Sequence, residues 1–114
     1  MKYLTAFAAA AALVASLGLT AAGAADVKVG IDNFTFNPKV VTVKAGTTVT
    51  WTNNDDIPHT VADPQKFRSK ALDTGDTYSF TFTTPGSYDY FCSLHPHMTG
   101  RIVVEAATGE NDAK

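Results

Sequence analysis

The chain has 114 residues, nine Lys and Arg against eleven Asp and Glu, a formal net charge of -2 and one Cys. A mildly acidic chain without a basic cluster lacks the electrostatic footprint of a nucleic-acid binder. Its length leaves room for one domain once a leader is removed, and a single Cys excludes the internal disulfides that often staple small exported domains.

Residues 1–25 differ in composition from everything that follows. Lys2 supplies a short positive start, Ala6 to Leu19 is apolar and Ala-rich, and Ala22-Gly23-Ala24 offers the small residues a signal peptidase requires. The pattern predicts a signal peptide cleaved after Ala24 or Ala25. The apolar run falls short of the ~20 residues of a spanning helix, so no membrane segment is expected in the mature form. With no Cys at the cleavage region and no Arg pair, the general secretory route is expected, without a lipid anchor.

Residues 26–105 read as a single domain of short strands. Stretches rich in Val, Thr, Phe and Tyr run over Val27 to Ile31, Val40 to Val43, Thr47 to Thr52, Thr77 to Phe82, Ser87 to Phe91 and Arg101 to Glu105. Turn residues separate them: Asn37-Pro38, Ala45-Gly46, Asn53 to Asp56, Gly75-Asp76, Pro85-Gly86 and Thr99-Gly100. Period-two alternation sets Val41 with Val43, Val49 with Trp51, Phe80 with Phe82, and Tyr88 and Tyr90 with Cys92 on core-facing sides. The expected fold is all-β, an antiparallel sandwich of two sheets, since two packed sheets bury such faces without helices. Ala62 to Asp73 shows no clear strand pattern, and there Phe67 and Leu72 are expected to dock a loop or one short helical turn. The small, polar residues 106–114 are expected to form a flexible tail.

The chemistry concentrates near the end of the domain. A lone thiol in an oxidising compartment is a liability unless it is buried, paired between chains or held by a metal. In Tyr90-Phe91-Cys92-Ser93-Leu94-His95-Pro96-His97-Met98 a thiol, an imidazole and a thioether recur every three residues on an expected tight turn. A thiolate and imidazoles with a weak, long axial thioether make the trigonal arrangement of electron-transfer copper. The second imidazole must come from elsewhere, and His59, after the turn that follows a core strand, is the candidate; His97 is expected to point outward. Asp55-Asp56 reads as a solvated turn. No acid, base or nucleophile constellation is visible, so no catalytic residue and no enzyme is expected.

Taken together, Cys92-x-x-His95-x-x-Met98, Pro58-His59, Trp51-x-Asn53, Tyr88-x-Tyr90-x-Cys92 and the exit strand Gly100 to Val104 resemble the cupredoxin family. The short spacing from His95 to Met98 is most similar to the amicyanin group. The resemblance implies a Greek-key sandwich and one mononuclear type 1 copper held by His59, Cys92, His95 and Met98. It also implies one-electron shuttling in the periplasm with transient partners such as a c-type cytochrome, a periplasmic dehydrogenase or an oxidase. Docking is expected around Leu94 and Pro96, where His95 nears the surface, by a protein that is itself a monomer. One position departs from the family: Thr60 stands where Asn is common after the first His ligand. The rival readings are a periplasmic copper-delivery protein that does not cycle its redox state, and a metalloenzyme with an open coordination position.

Overall fold

The computed structural model of the protein describes residues 26–107. The expected leader, 1–25, and residues 108–114 of the expected tail lie outside them; Ala106 and Ala107 follow the last strand without regular structure. Among the described residues nine strands run in chain order as β1 (Asp26–Asp32), β2 (Thr35–Asn37), β3 (Val40–Lys44), β4 (Thr47–Asn53), β5 (Ala62–Asp63), β6 (Phe67–Arg68), β7 (Thr77–Phe82), β8 (Gly86–Cys92) and β9 (His95–Glu105). They form a four-stranded sheet, β2-β1-β4-β7, and a five-stranded one, β3-β9-β8-β5-β6.

The alternation in β4 shows why this sequence makes a sandwich. Thr47, Val49, Trp51 and Asn53 are buried, while Thr48, Thr50 and Thr52 lie half-buried on the opposite face. On that outer face the Thr48 and Thr81 hydroxyls pair at 2.7 Å, as do those of Thr50 and Ser79. β-branched threonines thus suit the strand and still satisfy their polar groups. Inside, Val29, Ile31, Val49, Trp51 and Phe82 of the first sheet meet Val43, Tyr88, Tyr90, Ile102 and Val104 of the second in one core. The predicted faces hold, except that Val41 and Phe80 are only partly buried and pack against the core from its rim.

The all-β sandwich stands, but its sheets are mixed rather than purely antiparallel. β1 pairs parallel with β4, and β3 pairs parallel with β9. The chain changes sheet between β2 and β3 and returns at β4, so β4 reaches β1 by a crossover and runs in the same direction instead of folding back as a hairpin. The segment Ala62 to Asp73 also differs from expectation: it contributes the two-residue strands β5 and β6 and no helical turn. Phe67 and Leu72 are buried there, as expected, and Leu72 braces the site described next.

Candidate metal centre

The site begins where β4 ends. The Asn53 carboxamide donates to the carbonyls of Ile57 (2.9 Å) and Leu72 (2.8 Å) and accepts the Asp55 N–H (2.8 Å), which shapes the turn after the strand. His59 then exchanges backbone hydrogen bonds with Leu72, at 3.1 and 2.7 Å, and its side chain is completely buried. The chain is therefore held on both sides of this imidazole.

Asp55 is not the solvated residue expected, although its neighbour Asp56 is exposed. Its Oδ1 accepts the Asn33 N–H at 2.7 Å, and its Oδ2 accepts the Phe34 N–H at 2.9 Å and lies 2.8 Å from His59 Nε2. The Phe34 amide above all, with the Asn33 amide and the His59 ring, holds the carboxyl down at about 2 against the opposing effect of desolvation. An ionised carboxylate only accepts, so His59 donates from Nε2, the tautomer that leaves Nδ1 as the nitrogen a metal would take. The same carboxylate braces the β1–β2 turn, where Asn33 and Phe34 have φ of 52° and 58°. That left-handed conformation is uncommon for a bulky residue. It sets the Phe34 ring edge-on to His95 and His59, with centroids 5.0 and 5.4 Å away.

Cys92 closes β8, Ser93 and Leu94 make the turn, and His95 opens β9. Cys92 pairs with His95, but the preceding Phe91 already pairs with Thr99, so Pro96, His97 and Met98 bulge out of the ladder. The expected tight turn is thus a two-residue turn followed by a bulge. Cys92 is completely buried, Met98 is 5% exposed and Leu94 is 51% exposed; His97 is exposed and His95 half-buried.

The sequence-predicted residues His59, Cys92 and His95 meet: Cys92 Sγ lies 3.7 Å from His59 Nδ1 and 3.6 Å from His95 Nδ1. All three donor atoms fall within 4.8 Å of one another, separations that two bonds of about 2.0–2.3 Å to one ion can span. Met98 lines the same surface hollow as His95, with Phe34, Leu94, Pro96 and His97. The sulfur also receives the Thr60 N–H at 3.3 Å. One cysteine sulfur and two imidazole nitrogens, mostly buried, fit a copper ion, which would take the sulfur as thiolate. Reasoning from sequence missed Asp55, Ser93 and Phe34. A carboxylate four residues before a ligating His was a usable signal for Asp55, because ligating histidines give their other N–H to such groups. Nothing in the sequence marked Phe34.

A two-sheet sandwich that gathers one thiolate and two imidazoles at one end defines a small mononuclear copper protein. A family model described as a cupredoxin-like domain matches residues 4–104. The chain is 40% identical over 110 residues to amicyanin-alpha of Methylorubrum extorquens, covering 90% of this chain and 92% of that protein. It is 41% identical over 85 residues to amicyanin of Paracoccus versutus, covering 69% of this chain but only 64% of that protein's length. The crystal structure of P. versutus amicyanin superposes with a TM-score of 0.67 at 41% identity, over 70% of this chain and 81% of that one. The chain belongs to the cupredoxin-like family and is amicyanin-like within it. The family's cofactor is one type 1 copper, which the donor set above suits.

Proposed function

We propose that this protein is an exported, monomeric one-electron carrier whose copper is held by His59, Cys92, His95 and Met98. The observation that carries the reading is the convergence of one sulfur and two Nδ1 atoms within 4.8 Å, on two side chains of the five-stranded sheet and one from the loop after β4. Copper bound there supplies reversible one-electron exchange between its two valences. The chain supplies a cage that need not rearrange. His59 is pinned through Nε2 by Asp55 and through its backbone by Leu72. Thr60 directs an N–H at the sulfur, and the Met98 thioether would be a fourth, weaker donor to the ion.

Burial keeps water from His59 and Cys92, while half-buried His95 offers the short way out. Around it Leu94, Pro96 and Phe34 form an exposed apolar surface suited to a brief, small contact with a redox partner. Residues 1–25 direct export to the periplasm. The encounter partners are a c-type cytochrome, a dehydrogenase or an oxidase of that compartment.

An optical and electron-paramagnetic-resonance spectrum of the copper-loaded mature protein tests the reading. Expected is an intense sulfur-to-copper absorption that disappears in Cys92→Ser. A pale protein, or a colour that survives the substitution, refutes it. Copper lost quickly to a competing chelator would indicate delivery instead, a role that the complete burial of His59 and Cys92 disfavours.

A further inference from the structure

The hydroxyl of Thr60 sits in a triangle of polar atoms that the copper cage itself does not require. Thr60 is 7% exposed, so its hydroxyl must find partners within the protein. Its Oγ1 accepts the Ser93 N–H at 2.7 Å, lies 2.7 Å from Ser93 Oγ, and stands 3.8 Å from Cys92 Sγ in donor geometry. A hydroxyl has one hydrogen and two lone pairs. With the Ser93 N–H on one lone pair, two arrangements remain. Either Thr60 gives its hydrogen to Ser93 Oγ and the sulfur keeps only the backbone N–H, or Ser93 gives its hydrogen to Thr60, whose own hydrogen then turns to the sulfur.

Charge decides between them. A metal-held thiolate is an ionised acceptor, and hydrogen bonds to ionised acceptors are roughly twice as strong as neutral ones. A buried setting adds to that advantage. Ser93 is exposed, so its oxygen can still accept from water while its hydrogen points at Thr60. We propose that the Thr60 hydroxyl is a second hydrogen-bond donor to Cys92 Sγ, oriented by Ser93, and that Thr60 is thereby a positioning residue that raises the reduction potential of the copper. The inference rests on the copper reading above. Its direction follows from the sulfur carrying more negative charge in the reduced state, where a donor is worth more; hydrogen bonding at this sulfur is a recognised lever on the potential.

The test compares copper-loaded wild type with Thr60→Val, Thr60→Ser and Ser93→Ala, by voltammetry and by the resonance Raman copper–sulfur stretch in H2O and D2O. Thr60→Val should disfavour the reduced form by about tenfold, or about 59 mV for one electron, and shrink the D2O shift of the stretch. Thr60→Ser should keep both properties, and Ser93→Ala should leave the potential near that of wild type. Thr60→Val with unchanged potential and D2O shift overturns the proposal. So does a raised potential in Ser93→Ala, which would mean that the Thr60 hydrogen had been on Ser93; this arm decides the matter if Thr60→Val does not fold. A wild type without sulfur-to-copper absorption would instead remove the copper reading and this inference together.

Discussion

Asp55 satisfies three donors with two oxygens, and those donors come from the β1–β2 turn and from His59. Removing it frees the imidazole to rotate and leaves two amides of a left-handed turn without partners. Asp55→Ala should therefore weaken copper binding by about 10–100-fold, the usual loss when a partner of a ligating His is deleted. Competition against a chelator of known affinity measures it. Tyr90 is the opposite case. Its hydroxyl and the Trp51 Nε1 are buried with no partner of hydrogen-bond geometry. Desolvation pushes the phenol up to about 12, with the nearby indole N–H only partly offsetting it. Tyr90→Phe removes a polar atom that gains nothing, so stability should hold or rise by up to about 1 kcal/mol in urea unfolding. The candidate donors were legible at this scale because thiol, imidazole and thioether announce themselves by type. The service of Asp55 to the β1–β2 turn was not, because the amides it accepts lie 22 and 21 residues away.

Among the elements, β9 is constrained from several directions. It pairs with both β3 and β8 and carries the ligand bulge at its start. Directly after the bulge Gly100 faces Tyr90, and a Cβ there would come within 3.0 Å of three atoms of the phenol. The φ of Gly100 is not what requires glycine; the ring is. Gly100→Ala should cost about 1–3 kcal/mol by overpacking, and less in a Tyr90→Leu background, because the two side chains compete for one space. Urea midpoints of the two singles and the double measure the coupling. Strands of five or more residues were readable from alternation, as β4 and β8 show. The two-residue β5 and β6 were not, since so short a segment carries no period; it is β8 and the buried Phe67 that make them strands.

For the whole molecule, the fold places its ligand atoms inside one end of the sandwich and an apolar rim outside it. Leu94, 51% exposed, belongs to that rim and has no donor atom to offer the ion. Leu94→Glu should slow electron exchange with a c-type cytochrome by about tenfold while leaving the absorption spectrum unchanged, because a charge buried in a contact must be desolvated without a partner. Stopped-flow mixing measures the rate, and an unaltered rate would move the docking face elsewhere.

By itself the sequence determined where chain direction alternates in and out, where it turns, and which donor atoms lie on it, because periodicity and residue type are local properties. Only the tertiary structure decided that β4 lies parallel to β1 and β9 to β3. It alone brought His59, from beyond β4, within 3.7 Å of a sulfur 33 residues away. It also made one carboxylate serve a turn and His59 together, and set a threonine hydroxyl 3.8 Å from the cysteine sulfur. Those outcomes depend on which buried faces meet when two sheets close on a common core, and no single stretch of chain carries that information.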